Sequence, residues 1–245
     1  MTEPAAPPIV CPITGSADYR ALCEQNGQRW IQFPASGFAR LAAMPDDAHN
    51  ATISDTVLTG EYIETYRAKF ASKLRRSARR ARYLRKHMGA GKRVLDVGAN
   101  IGFFVESCRL LGLQARGIDI NEGLVREARR SFPQCDFSAT ALEDFAPDDR
   151  YDAIYCSEVI EHVVDPAAFV SRILGLLNQG GILYLTTPSL DEYLSGSNVT
   201  RDLGAPDHKL YFNRRNIGLF LARIGFSRVK HKLALGGGIQ LIAWK

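Results

Sequence analysis

The segment Val94-Leu95-Asp96-Val97-Gly98-Ala99-Asn100-Ile101-Gly102-Phe103 constrains the fold of this chain more than any other. An apolar run of strand length stops at Gly98 and passes almost at once into a helical pattern from Phe103 to Leu111. A buried strand that feeds straight into a helix is the first half of a β-α-β unit, because parallel neighbours can be joined only through a crossover. The glycine turn also leaves backbone N–H groups at the strand end and lets a ligand approach the main chain.

The pattern then repeats. Gln114 to Ile118 leads to a helix near Glu122 to Ser131, followed by a weaker strand near Cys135 to Ser138 and a stronger one at Tyr151 to Cys156. Asp165-Pro166 predicts an N-cap and first turn for a helix to about Leu177, which Gly180-Gly181 ends before a strand at Ile182 to Thr186. Asn213 is placed to cap a helix to Ile224, and Ser227 to Leu233 with Gln240 to Trp244 across Gly236-Gly237-Gly238 reads as an antiparallel hairpin. This alternation predicts an α/β fold, a doubly wound and mostly parallel sheet covered by helices on both faces. A length of 245 residues suits one such domain with an addition. Residues 1–64 are expected as an N-terminal appendage, 65–92 as a basic amphipathic helix and 93–245 as the main domain. Within it, 189–214 is a connection far longer than the usual two to about six residues, and is expected to shape an acceptor pocket.

Two cofactor classes use a glycine turn at a strand end, nicotinamide dinucleotides and S-adenosylmethionine (SAM). The dinucleotide fingerprint G-x-G-x-x-G fails, because after Gly98 the required places hold Asn100 and Phe103. Asp96 would repel a pyrophosphate and attract the ammonium of a methionine moiety. Asp119 ends the next strand 23 residues later and is placed to accept hydrogen bonds from both ribose hydroxyls, with Ile120 following it. These residues, with Gly98, Ala99, Asn100 and Gly102 in the turn, favour SAM.

On these features the chain resembles the class I SAM-dependent methyltransferases, closely over about Lys92 to Thr187 and loosely elsewhere. Asn100 stands where the family's D-x-G-x-G-x-G has its middle glycine, and Asn tolerates a left-handed backbone better than most residues. Ala141-Leu142-Glu143-Asp144, the run Cys156 to Val163, Leu177 to Gly181 and Thr186-Thr187-Pro188 extend the likeness, in particular to the O-methyltransferases of ubiquinone biosynthesis. The resemblance implies a seven-stranded Rossmann-like sheet and methyl transfer from SAM. It also implies Ala141 and Leu142 beside the adenine, with the Leu142 N–H reaching a ring nitrogen, and Cys156 and Ser157 beside the methionine part.

Methyl transfer from a sulfonium is an in-line displacement, so the protein must hold the acceptor at near-attack distance and remove a proton when the acceptor is a hydroxyl. Glu158, Glu161 and His162 form E-x-x-E-H, similar to the ubiquinone group, in some members of which the three are proposed to hold a divalent metal. The other readings are that His162 orients or deprotonates the acceptor, or that Glu161 and His162 fix the loop; no metal is expected. Asp207-His208-Lys209-Leu210-Tyr211-Phe212 resembles the H-x-x-x-F segment of relatives that methylate small molecules and sugars, which makes His208 and Tyr211 further candidates for acceptor contact, with local packing as the alternative. Glu158, His162, His208 and Tyr211 are the candidate catalytic residues, and a small-molecule or saccharide hydroxyl is the expected acceptor.

No stretch approaches the roughly 18 apolar residues of a membrane span. Met1 to Val10 lacks the basic and apolar regions of a secretory signal, and the cysteines, Cys11, Cys23, Cys108, Cys135 and Cys156, form no close pair, so a cytoplasmic location is expected. The net charge of +5 is local, because Thr65 to Arg93 holds twelve Lys or Arg and no acid. Phe70, Leu74, Ser77/Ala78, Ala81, Leu84 and Met88 give that run one buried stripe; its other faces suit solvent, an acidic partner such as RNA or a phosphorylated substrate, or a membrane surface. An RNA methyltransferase and a non-catalytic SAM-binding regulator are the rival functions, nucleic acid being the weaker because no N-P-P-Y motif follows the fourth strand. Cys11-Pro12-Ile13-Thr14-Gly15 and the run Phe33 to Phe38 keep the C-x2-C spacing of a zinc ribbon that some relatives carry. Thr14, Phe33 and Ser36 fill three of its four ligand places, which predicts a ribbon without zinc. The sequence carries no signature of oligomeric state.

Overall fold

In the computed structural model, which describes residues 8–45, 60–196, 198–233 and 238–245, the chain begins with three short strands, β1 (Arg20–Gln25), β2 (Gln28–Gln32) and β3 (Ala39–Leu41). Two helices follow, α1 (Gly60–Ala68) and α2 (Phe70–His87). The alternating part runs β4 (Arg93–Val97), α3 (Phe103–Arg109), β5 (Gln114–Asp119), α4 (Glu122–Ser131), β6 (Asp136–Ala139), β7 (Tyr151–Ser157), α5 (Pro166–Leu176) and β8 (Leu177–Thr187). After it come β9 (Leu194–Ser195), β10 (Asn198–Val199), β11 (Leu210–Tyr211), α6 (Arg214–Ile224), β12 (Arg228–His231) and β13 (Ile239–Trp244). Residues 1–7, 46–59, 197 and 234–237 lie outside the described part, and with them most of the region read against an export signal and two glycines of the final hairpin.

The main sheet has seven strands in the order β12-β13-β8-β7-β4-β5-β6. β8, β7, β4, β5 and β6 run parallel to one another, and β13 runs antiparallel to both β8 and β12. The chain winds outward from β4 through β5 to β6, then returns to β7 on the other side of β4. That reversal opens a crevice above the C-terminal ends of β4 and β7, where ligands of open α/β sheets bind. Helix starts follow the sequence signals: Asp165 accepts from the N–H groups of Ala167 and Ala168 at 2.9 and 3.0 Å. Asn213 and Asn216 form a reciprocal capping box at α6.

Two boundaries differ from expectation. The helix after Pro166 ends at Leu176, and Leu177, already extended at ψ 143°, begins β8. Gly180 takes φ 73° within that strand, where the register against β7 shifts, so the glycines accommodate an irregularity and do not end a helix. The basic helix is in fact two, α1 and α2, joined at Lys69, whose N–H is shared between the Thr65 and Tyr66 carbonyls at 3.2 Å each. The expected stripe holds: Ala81, Leu84 and Met88 are buried, and Phe70 packs its ring against Phe103 at 5.0 Å.

A second sheet, β1-β2-β3-β11, ties the N-terminal strands to the long connection after β8 through the pairs Leu210↔Arg40 and Tyr211↔Ala39. Trp30, Leu41, Leu190, Leu203 and Tyr211 share one core there. The segments at Cys11 and Phe33 make matching turns, with Gly15 N–H on the Cys11 carbonyl and Gly37 N–H on the Phe33 carbonyl, both at 2.8 Å. Cys11 Sγ lies 3.2 Å from Ser36 Oγ, while the Phe33 ring is fully buried beside Tyr19 and Phe38.

Candidate functional site

A cleft of about 1430 Å³ opens over the C-terminal ends of β4, β5, β7 and β8 and is walled by α2, by the bend after β7 and by residues 207–209. A smaller hollow of about 300 Å³ lies near the opposite strand ends, beside the 2.7 Å ion pair of Arg93 with Asp149 and away from the glycine turn.

One half of the cleft is built on the turn. Gly98 has φ 75°, and a Cβ there would stand 2.4 Å from Val159 Cγ2, so both backbone angle and space require glycine. Asn100 takes the left-handed φ of 52° anticipated for it. The Asp119 carboxylate accepts the Asn100 N–H on Oδ2 at 2.8 Å and the Asn121 N–H on Oδ1 at 3.0 Å, binding the turn to the end of β5. Each oxygen keeps a lone pair for a further donor, which fits two vicinal hydroxyls. Ile120 is 70% exposed at this rim, and Ala141 and Leu142 line the wall beyond it, an apolar surface suited to a flat ring.

Asp96 is buried on the adjoining strand end, and burial, with the neighbouring Asp119 charge, pushes its carboxyl well above the ordinary range while Arg80 pulls it back. Such an acid gains most from a cation, as an ammonium group would supply. Arg80 of α2 donates from Nη1 to Tyr155 Oη at 2.6 Å and to Ser157 Oγ at 3.0 Å. Thr186 gives its hydroxyl proton to Glu158 Oε1 at 2.7 Å, so Ser157 must be the donor in its own 2.7 Å bond to Thr186. The result is a directed chain, Arg80 to Ser157 to Thr186 to Glu158, ending at a residue held at φ 56°. Lys73 and Arg76 line the cleft from the same helix.

The other half gathers the histidines. His162 Nδ1 faces Asp207 Oδ1 at 3.0 Å; burial alone would lower this imidazole, but the bond to Asp207 and the Glu161 charge outweigh it and raise its pKa. Glu161 is 1% exposed and takes the Thr187 hydroxyl on Oε2 at 2.9 Å, while Oε1 has no hydrogen-bond partner among the described residues. Burial and the Glu158 charge push its carboxyl up to about 7. His208 Nδ1 lies 2.7 Å from Tyr211 Oη, which itself donates to the Leu203 carbonyl at 2.7 Å. A phenol has one proton, so Tyr211 accepts from His208 Nδ1–H, and Nε2 carries the free lone pair. Burial and the nearby His162 lower the His208 pKa to about 4, so the ring is neutral near pH 7.

Several sequence candidates are placed differently. Gly102 is not on the cleft: a Cβ there would meet the Phe137 ring at 2.5 Å, so it serves the packing of α3 against β6. Cys156 alternates to the other face of β7 from Ser157 and lies fully buried in the core with Leu95 and Ile154. Tyr211 is 1% exposed, does not line the cleft, and accepts from His208. Among the described residues, the set that could hold a divalent cation is Glu161, His162 and His208, whose ligand atoms lie within 4.8 Å of one another; Glu158 of the E-x-x-E-H run is absent from it, its carboxylate accepting from Thr186. Arg80 escaped the sequence reading among many arginines, although its position three after Ser77 and four before Leu84 put it at the edge of the buried stripe.

Comparison with known proteins bears on the fold and the family. The ubiquinone biosynthesis O-methyltransferase of Xanthomonas axonopodis pv. citri (strain 306) is 41% identical over 104 residues, 40% of this chain and 44% of that protein, so the match spans less than half the length of the curated relative. Magnesium protoporphyrin IX methyltransferase from Synechocystis PCC 6803, solved with bound SAM, superposes with a TM-score of 0.60 at 17% identity over 83% of this chain and 99% of that one. A SAM-bound amino pentose methyltransferase from Micromonospora echinaspora, involved in calicheamicin biosynthesis, gives 0.59 at 18% identity over 76% and 97%. These two likenesses concern the fold. A family model described as a methyltransferase domain matches residues 62–231, from α1 through β12, a span that includes the glycine turn and Asp119, and the chain belongs to the methyltransferase-domain family.

Proposed function

We propose that this chain transfers the methyl group of SAM to a hydroxyl of a small-molecule or saccharide acceptor, with His208 Nε2 as the general base. The observation that carries this reading is the Leu203–Tyr211–His208 chain, which leaves a neutral imidazole with its free lone pair on a residue lining the cleft. When bound, SAM supplies the electrophilic methyl. Asp119 would hold its ribose, Ile120, Ala141 and Leu142 would border its adenine, and Asp96 with Arg80 would take the ammonium and carboxylate of its methionine end. His162, fixed by Asp207, would orient the acceptor and keep residues 207–209 against the bend after β7. Proton removal by a positioned imidazole contributes about 10² to 10⁴ in rate.

The solved amino pentose enzyme and the ubiquinone O-methyltransferase relative support a small hydroxyl-bearing or sugar acceptor. Arg80 reaches into this cleft to Tyr155 and Ser157, whereas Lys73 and Arg76 stand at its rim, which favours a role for the end of the basic run at this site over RNA. Five unpaired cysteines accord with a cytoplasmic setting, and among the described residues no helix is long and apolar enough to cross a membrane. The strands before residue 46 would back the acceptor wall through β11. The test is incubation with methyl-labelled SAM and a panel of sugars and small hydroxyl compounds, read by mass spectrometry. One demethylated cofactor per methylated product supports the proposal. Tight SAM binding without turnover on any acceptor would favour a regulatory SAM binder.

A further inference from the structure

Lys209 follows His208 and lines the same cleft, yet it is only 4% exposed. Its backbone is held on both sides, with its N–H on the Glu161 carbonyl at 2.7 Å and its own carbonyl accepting the Leu41 N–H at 2.9 Å. The root of the side chain is therefore fixed between the bend after β7 and β3. The ammonium has three N–H donors and makes one described hydrogen bond, to the Asp207 carbonyl at 3.5 Å, the far limit for such a bond. Of the acids nearby, Asp207 attracts this ammonium but gives its carboxylate to His162, Glu158 serves Thr186, and Glu161 takes Thr187 on Oε2 while its Oε1 makes no hydrogen bond to Lys209 or to any other described residue. Among the described residues Lys209 enters no ion pair, although buried charges in proteins are ordinarily paired because the unpaired state is costly.

From this under-satisfied ammonium on the wall of the cleft we infer that the acceptor carries an anionic group, a carboxylate or a phosphate, which Lys209 receives. The inference rests on the reading that the cleft binds SAM and methylates beside His208. The carboxylate of SAM is not the ligand concerned, because Arg80 stands at the end of β7 with Ser157, whereas Lys209 hangs from Glu161 beyond the following bend. Since His208 and Lys209 line the same cleft, the anion and the reacting hydroxyl belong to one small acceptor. Lys73 lies half-buried over the Tyr66 ring and Arg76 is exposed at the rim, where water competes with any anion; they are the control for a merely electrostatic effect.

The test uses the full chain saturated with the demethylated cofactor. Sodium phosphate and, separately, sodium acetate are titrated in at constant ionic strength while the His208 imidazole resonance is followed by NMR. A saturable shift is expected, stronger with phosphate if the acceptor is phosphorylated and with acetate if it is a carboxylate. Lys209→Met should raise the half-saturation concentration at least about tenfold, Lys209→Arg should stay within about threefold of the original, and Lys73→Gln with Arg76→Gln should leave it unchanged. No saturable shift with either anion in the unaltered protein overturns the proposal whatever the variants do. So does an equal half-saturation in Lys209→Met, or in Lys209→Gln if the Met variant fails to bind cofactor, and so does loss of the shift in the rim variant. Cofactor affinity is read in the same samples: its absence in the unaltered protein removes the functional reading and this inference together, whereas tight cofactor binding without the anion response removes this inference alone.

Discussion

Replacing Asp119 by alanine tests the cofactor half of the cleft. The carboxylate accepts two backbone N–H groups, at 2.8 Å from Asn100 and 3.0 Å from Asn121, and has capacity for two ribose hydroxyls. A hydrogen bond to a charged group contributes about 1.5 to 3 kcal/mol, but water would replace part of what the alanine removes on this open rim. The expected loss in SAM binding is therefore about 1.5 to 3 kcal/mol, a rise in Kd of roughly 10- to 150-fold. Fold stability should fall less, by about 1 kcal/mol, because burial already disfavours the ionised carboxylate and partly offsets its two bonds to the turn. Asp119→Asn should be no better than alanine, since its amide NH₂ would face one of the two N–H donors. Calorimetric titration with SAM and with its demethylated product, alongside urea melts, separates the two effects. SAM affinity within about twofold of the original in a folded Asp119→Ala protein would refute the assignment.

Arg80→Gln removes the cation at the end of β7 and should raise the Kd for SAM about 5- to 50-fold; an unchanged Kd would leave Arg80 a structural tether of Tyr155 and Ser157. His208, whose pKa is lowered from 6.5 to about 4, binds its proton less well folded than unfolded, so stability should fall by roughly 2 to 3 kcal/mol as pH drops from about 6.5 to 4. Glu161, raised from 4.5 to about 7, has the opposite sign, its contribution being full below 4.5 and lost as pH rises through about 7. Urea melts at pH 7 and 4.5 should accordingly show less acid destabilisation in His208→Gln than in the original, and equal losses would contradict the buried neutral imidazole. Elemental analysis after mild chelation should find no stoichiometric zinc held by the N-terminal segment, because Thr14, Phe33 and Ser36 cannot complete a site with Cys11; one zinc per chain that is lost in Cys11→Ser would contradict this.

The cofactor half was legible because it depends on local rules. A left-handed turn demands Gly98 and tolerates Asn100, and an acid ends each of two adjacent strands at a spacing set by one β-α-β unit. The acceptor half was not, since its relations are made by tertiary contact: Tyr211 is turned inward by pairing with β3, and His208 joins Glu161 and His162 across 46 residues. Cys156 differs from expectation for a simpler reason: strand alternation sends neighbours on β7 to opposite faces, so Ser157 lines the cleft and Cys156 the core. The break at Lys69 leaves no mark in the sequence, since neither Gly nor Pro stands between Arg67 and Ser72.

The most direct test of the proposed chemistry measures SAM affinity and turnover separately in His208→Gln, on the acceptor found in the labelling screen. The expected result is a SAM Kd within about twofold of the original and a kcat lower by about 10² to 10⁴. Full turnover with intact SAM binding would contradict a general base at His208 and leave catalysis to positioning alone.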